Sequence, residues 1–320
     1  MSAATSFDCR SIPADAAETK WRAADGHEIR SIAWPAPPDD VELKGSILFM
    51  AGRGDAYEKY LESFEHWRLQ GWQVTACDWR GQGGSGRFGN DATTGHIDDF
   101  SLWIADLAEF WAGWSEQNDG PLVLMGHSMG GHLVLRAAIE EALQPRPDAL
   151  VLSAPMLDTF PEAVPMPVKR GLAWVMNRVG DPKRPAWKIS ERPATKAMAR
   201  RTLLTHDDER YEDELWWREE RPELALGPGS WGWVKSAADS SAAMFRRGAL
   251  ESVAIPTFIV ATEADRLVSA SAIRSALARM PDIGSLVFGS EARHEILRET
   301  DSVREKALAA IDRFLEDRLG

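Results

Sequence analysis

The chain has 320 residues, 37 Lys and Arg against 49 Asp and Glu, and a formal net charge of −12, with 44% hydrophobic residues. That apolar fraction is enough for a large core, the acidic balance argues against nucleic acid as a partner, and only two cysteines, Cys9 and Cys77, exclude a disulfide framework. No apolar run reaches the roughly 18 residues of a membrane span, and the first residues lack the pattern of a signal peptide, so a cytoplasmic protein is expected.

In chain order, residues 21–36 read as an edge hairpin around Asp25-Gly26. Apolar, β-branched runs predict core strands at 46–50, 72–77, 122–125, 149–153, 255–261 and 285–288. Cys77 falls inside one of them and is expected as a buried thiol. Helices are expected at 57–70, 100–116, 129–143, 269–280 and 302–318. This alternation predicts an α/β fold with a mostly parallel central sheet flanked by helices. The strands ending at 153 and starting at 255 are separated by about a hundred residues, far too many for a loop in a compact domain. The expected organisation is therefore a core over 1–153, an inserted helical cap over 154–250, and the rest of the core over 251–320.

The motif that points to chemistry is Gly126-His127-Ser128-Met129-Gly130, between a strand and a helix. A Gly-x-Ser-x-Gly at such a junction is a nucleophile elbow, with the serine oxygen projecting from a tight turn. Bulky neighbours two residues away would collide across that turn, hence glycine. The N–H of Met129, opening the helix, is placed to bind a developing oxyanion. Serine hydrolases of α/β type carry their triad in the order Ser, acid, His. Downstream histidines are His132, His206 and His294. His132 lies one helical turn from Ser128, and His206 lies in a charged stretch. His294 follows the last strand by a short loop, where a general base belongs. Between the 255–261 strand and His294, Glu291 aside, stand Glu263, Asp265 and Asp282. Asp282 precedes a strand and falls at the opposite end of the sheet. Asp265 is the expected acid, with Glu263 in reserve; its competing role is to cap the helix beginning near Ser269. After the 46–50 strand, Ala51-Gly52-Arg53-Gly54-Asp55 lets the backbone approach a substrate carbonyl, and Arg53 N–H is the expected second oxyanion donor.

With these residues in place, the chain resembles the alpha/beta-hydrolase branch that includes monoacylglycerol lipases and lysophospholipase L2. The matching stretches are Ala51-Gly52-Arg53 through Tyr57 to Tyr60, and Asp78-Trp79-Arg80-Gly81-Gln82-Gly83-Gly84-Ser85-Gly86-Arg87. The elbow, Ser153-Ala154-Pro155-Met156-Leu157-Asp158, Glu263 to Val268, and His294-Glu295-Ile296-Leu297 match as well. The family's catalytic residues fall on Ser128, Asp265 and His294. Many monoglyceride lipases have His-Gly before the oxyanion residue. Here Ala51-Gly52 precedes Arg53, a form more like the lysophospholipases. Ala264 replaces the glycine common before the acid. The resemblance implies a serine esterase acting on single-chain lipid esters, with no metal or organic cofactor. A small-ester hydrolase or peptidase on the same triad, or a non-catalytic binding protein, are the alternatives.

Six of the fourteen tryptophans lie in 154–250: Trp174, Trp187, Trp216, Trp217, Trp231 and Trp233. They either line an acyl pocket or lipid interface, or form the cap's own core. Residues 169–201 hold ten basic residues and two acidic ones: Lys169, Arg170, Arg178, Lys183, Arg184, Lys188, Arg192, Lys196, Arg200 and Arg201 against Asp181 and Glu191. Residues 207–223 hold nine acidic and three basic ones. Either the two blocks solvate or pair with each other, or the basic block makes transient contact with an anionic membrane surface. The second reading would place the protein peripherally on the inner face of a membrane.

Overall fold

A computed structural model describes residues 7–159, 161–187 and 197–320, with the side chains of 197–199 left out. Eight strands form one sheet: β1 (Ala17–Arg22), β2 (Glu28–Ala33), β3 (Gly45–Met50), β4 (Trp72–Cys77), β5 (Leu122–His127), β6 (Ala149–Ser153), β7 (Thr257–Thr262) and β8 (Ile283–Phe288). Their order is β1-β2-β4-β3-β5-β6-β7-β8. The β1–β2 and β2–β4 pairings are antiparallel, and the rest are parallel.

The strand period of two sorts the apolar residues onto two faces. Ile47, Phe49, Val123, Met125, Val151, Phe258 and Val260 face α1 (Leu61–Leu69) and α9 (Asp301–Leu319), packing with Phe64, Trp67, Leu308 and Ile311. Leu48, Met50, Leu124, Leu150, Leu152 and Ile259 face the other way. They meet α2 (Phe100–Ser115), α3 (Met129–Ile139) and α8 (Ala270–Leu277) through Trp103, Leu133 and Ile273. The central strands are buried on both faces, which is why they read as unbroken apolar runs. The hairpin begins four residues before its expected start. β1 is a charged, mostly exposed edge with no apolar alternation to betray it, and its charges blunt the edge against pairing with another chain.

Between β6 and β7 the chain forms α4 (Met166–Arg178), α5 (Ala197–Leu204), α6 (Asp208–Glu220) and α7 (Trp231–Met244). This segment is joined to the sheet domain at several points. Trp233, Ala237 and Met244 of α7 enter one core face, and Trp217 of α6 enters the other. Leu204 O accepts from Glu295 N–H at 2.8 Å, and Thr159 bridges to Val268. Trp174, by contrast, is exposed. Among the described residues no helix is long and apolar enough to cross a membrane.

The sheet order matters for function. From β3 the chain steps to β4 on one side, while β5 lies on the other. A crevice opens beyond the carboxyl ends of strands at such a reversal. The loops leaving β3 and β5 meet there.

Candidate active site

Ser128 follows β5 with φ +51° and ψ −115°, a left-handed conformation that an L-residue adopts only under constraint. Three backbone hydrogen bonds supply the constraint. Ser128 N–H donates to Ser153 O at 2.9 Å, and Ser128 O accepts from His132 N–H at 3.0 Å and from Met156 N–H at 2.9 Å. The flanking glycines are sterically required. A Cβ on Gly126 would lie 2.6 Å from the carbonyl carbon of Gly130, and one on Gly130 would lie 2.5 Å from Ala51 O.

Asp265 sits in the turn after β7. One carboxylate oxygen accepts from the N–H groups of Leu267 and Val268 at 2.8 and 3.0 Å, and the other meets His294 Nδ1 at 2.7 Å. His294 Nε2 stands 2.9 Å from Ser128 Oγ. All three residues are buried. An ionised carboxylate only accepts, so Nδ1 carries the hydrogen toward Asp265 and Nε2 is left to accept from the serine hydroxyl. Burial pulls the His294 pKa down, but the charge and hydrogen bond of Asp265, helped by Glu295 and Asp55, leave it raised above the ordinary histidine value. Burial pushes Asp265 up, but His294 and the two backbone donors hold it below the usual carboxylate range. The neighbouring His127 ring lies 4.9 Å from His294. Burial, then the charge of His294, pushes its pKa down to about 4, so it stays neutral beside the triad histidine.

The loop after β3 comes close to the elbow: a Cβ on Gly52 would lie 3.2 Å from Ser128 Cβ and 3.0 Å from His127 Cδ2. Arg53 is the next residue. Its guanidinium donates to Gly227 O at 2.6 Å and packs 5.2 and 5.1 Å from the rings of Trp187 and Trp233, so its side chain is engaged with the inserted segment. Met129 opens α3, where the first N–H groups have no acceptor within the helix.

The other residues singled out by sequence lie elsewhere. Glu263 pairs with Arg274 at the surface. His132 is buried between Met156 O and Ser240 Oγ, at 2.7 and 2.6 Å. His206 pairs with Glu299, and Asp282 with Arg318. The helix cap expected as Asp265's alternative role is Ser269, whose hydroxyl accepts from Ala272 N–H. Of the basic block, Lys169 pairs with Asp158, Arg170 with Asp239, and Arg201 with Asp208. Arg200 lies 3.6 Å from Glu214, Arg178 packs on the Trp174 ring, and Arg184 donates to the carbonyls of Met176 and Asp181. Lys188, Arg192 and Lys196 lie outside the described residues.

One feature of the site escaped sequence reading. Lys59 is buried among Asp55, Glu295 and Glu214 at 2.6, 2.6 and 3.0 Å. Arg298 joins Glu295 at 2.5 Å and Glu214 at 3.3 Å, and Tyr60 donates to Asp55 at 2.8 Å. Burial pulls the Lys59 pKa down, but the three carboxylates leave it raised. Burial raises Glu214 and Glu295, but Lys59 and the arginines hold both low. The cluster ties the loop after β3, helix α6 and the residue following His294 into one ionic unit. The spacings Asp55–Lys59 and Glu295–Arg298 are visible in sequence; Glu214, which closes the unit from the insertion, is not.

Residues 41–301 match the family described as serine aminopeptidase, S33. The chain belongs to this family. It is 29% identical over 282 residues to lysophospholipase L2 of Escherichia coli (strain K12), covering 84% of this chain and 79% of that protein. Phospholipase YtpA of Bacillus subtilis (strain 168) is 33% identical over 111 residues, 35% of this chain and 40% of the relative. A crystal structure of a soluble variant of monoglyceride lipase from Saccharomyces cerevisiae, in complex with a substrate analog, superposes with a TM-score of 0.77 at 17% identity. That match covers 99% of this chain and 100% of the other. The fold is that of an alpha/beta-hydrolase.

Proposed function

We propose that this protein is a serine hydrolase that cleaves carboxylic esters of single-chain lipids, of lysophospholipase or monoacylglycerol lipase type. The observation that carries the reading is the buried hydrogen-bond chain from Ser128 through His294 to Asp265. In this mechanism Ser128 Oγ attacks the ester carbonyl while His294 Nε2 takes its proton. His294 then protonates the leaving alcohol, and Asp265 holds the imidazole tautomer and stabilises the imidazolium. The N–H groups of Arg53 and Met129 receive the oxyanion, each contributing roughly 3–4 kcal/mol in comparable sites. Water then hydrolyses the acyl-enzyme on Ser128.

The family description favours a second reading, an aminopeptidase. That activity needs an unsatisfied carboxylate near the triad to receive a substrate ammonium group. Among the described residues, Asp55 and Glu295, which flank the triad, are both already paired, Asp55 with Lys59 and Glu295 with Lys59 and Arg298. This supports the ester reading. In the proposal residues 154–250 act as a cap over the triad. The α4 helix of that cap supports transient contact with an anionic membrane surface. Val168, Leu172 and Val175 are 56, 57 and 46% exposed and follow one helical stripe, which Val179, 61% exposed, continues at the C-cap. Arg178 lies beside it, while Arg170 is on the opposite side of the helix, paired with Asp239 of α7.

The deciding experiment is a substrate panel of lysophospholipids, monoacylglycerols, p-nitrophenyl esters and aminoacyl amides. Lipid esters should lead, and kcat/KM should climb from C4 to C10 acyl chains, since each buried methylene adds up to about 0.8 kcal/mol. A steady fall beyond C4 points to a small-ester hydrolase, and preference for aminoacyl amides to the peptidase.

A further inference from the structure

Residues 78–87 form a glycine-rich loop after β4 that supplies none of the triad. The loop is itself rigidly held. Asp78 accepts from Arg30 Nε and Gly84 N–H, both at 2.8 Å, and Arg80 makes a two-pronged bond to Asp106 at 2.7 Å on each arm. Two of its side chains reach into the active site from that fixed base. Trp79 Nε1–H donates to Ala51 O at 2.8 Å. The Gln82 amide is buried and uses both ends: its oxygen accepts from Gly54 N–H at 2.7 Å, and its nitrogen lies 3.6 Å from Met129 Sδ.

Ala51 and Gly54 bracket Gly52-Arg53, so the two side chains clamp that turn from both ends. Met129 forms the opposite wall. We propose that Gln82 is a positioning residue for the oxyanion hole, setting the spacing of its two walls through Gly54 and Met129, with Trp79 as the second anchor. The inference rests on the reading of Arg53 and Met129 N–H as the oxyanion donors.

The chemistry accounts for the residue type. The position needs an acceptor and a donor at the two ends of one neutral group. A carboxylate would satisfy Gly54 but would place a charge beside a forming oxyanion. A donor that must meet a developing negative charge has to be fixed before the reaction, because hydrogen bonds that reorganise lose their advantage. A loop whose own glycines permit many conformations needs an external clamp.

The test compares hydrolysis of a p-nitrophenyl ester with that of the matching thionoester, whose carbonyl sulfur is a poor hydrogen-bond acceptor. The wild-type protein should strongly prefer the oxygen ester. In Gln82→Leu, kcat for the oxygen ester should fall about 10- to 100-fold, less than the roughly 10²–10³ lost when a donor is removed outright, with KM within about twofold of wild type. The thionoester should fall much less, so the ratio of the two rates shrinks. Trp79→Phe should shrink it in the same direction but less. Thermal unfolding accompanies both variants, and if Gln82→Leu does not fold, Trp79→Phe carries the same readout. A variant in which both substrates slow equally, leaving the ratio unchanged, overturns the positioning role. A wild-type ratio near one overturns the oxyanion assignment itself.

Discussion

The triad and the α4 helix stand at opposite extremes of order. Around Ser128 the polar side chains are bonded and buried, and the backbone is held in a strained conformation by three hydrogen bonds. On α4, a stripe of valine and leucine faces water and only Ala173 is buried. The inserted segment joins these extremes. At α6 it is locked to the core by Glu214 in the buried charge cluster, and at α4 it presents apolar surface outward. Natural monomers seldom leave such a stripe open without a use for it. In the proposed reading the chemistry sits on the loops of the sheet domain and surface contact on α4, with α6 as the link between them. Perturbing one should leave the other intact.

The largest effect tests the buried end. Ser128→Ala or His294→Ala should lower kcat by about 10⁶, since the triad acts as a unit. Asp265→Asn should cost about 10⁴ through the wrong imidazole tautomer. Glu263→Gln, at an exposed ion pair, should change turnover by less than about twofold. All four variants should sediment with vesicles as the wild type does. Near-normal turnover in Asp265→Asn would remove that residue from the mechanism.

Next comes the link between the two ends. Lys59→Met leaves three buried carboxylates short of a cation, a change that typically costs about 3–5 kcal/mol. Denaturant unfolding should register a loss of that size. The sign with pH follows from the cluster's depressed carboxylates. Glu214 and Glu295 titrate below their unfolded values, so their contribution is complete above about pH 4.3 and is lost as pH falls through the folded values. Wild-type stability should therefore drop in acid more steeply than that of Lys59→Met. Equal slopes would mean that the cluster does not couple α6 to the site.

A smaller effect concerns the pH profile of catalysis. The pKa of His294 is raised above the ordinary value, so kcat/KM should decline as pH falls through an apparent pKa above about 6.5. The charged His294–Asp265 pair also stabilises the fold. That contribution is complete below the unfolded histidine pKa and is lost as pH rises through the folded one. His127, neutral down to about 4, should leave no trace in this range. An acid limb below pH 6 would show that Asp265 does not support the imidazolium.

How much of this was legible in sequence depends on whether a local rule governs the residue. The elbow, the loop glycines and the strand-end positions of Asp265 and His294 follow from backbone geometry at short range, and the fold brings Ser128 within hydrogen-bond distance of His294, and His294 of Asp265. The doubly buried strands were legible because their apolar runs have no competing pattern. The edge hairpin was legible from its Asp25-Gly26 turn, but the first residues of β1 were not, since a charged edge strand looks like a loop. The Lys59 cluster was hidden because Asp55, Glu214 and Glu295 come from three distant stretches, and only the fold brings them to one cation. Charge counting was equally blind to pairing. Lys169 and Arg170 look free in sequence, yet find Asp158 and Asp239 in the fold.

That pairing shapes the smallest effect, on surface contact. With much of the described basic block compensated internally, the apolar stripe should supply most of the attraction, and charge only a preference. Fully burying a leucine is worth about 1.5–3 kcal/mol. Leu172 is already partly covered, so its open fraction offers about 1 kcal/mol, or roughly fivefold in partitioning. Leu172→Ser and Val175→Ser should each weaken sedimentation with phosphatidylglycerol vesicles by about that factor. Neither should alter turnover of a short p-nitrophenyl ester, because neither side chain reaches the triad's hydrogen bonds. Phosphatidylcholine vesicles should bind more weakly, and added salt should erase the difference between the two lipids without abolishing binding, since screening acts on charge and not on apolar contact. Unchanged sedimentation in both variants would leave α4 as an ordinary solvated helix. A fall in short-ester turnover would be more telling, because it would show that the open end of the insertion is coupled to the buried one after all.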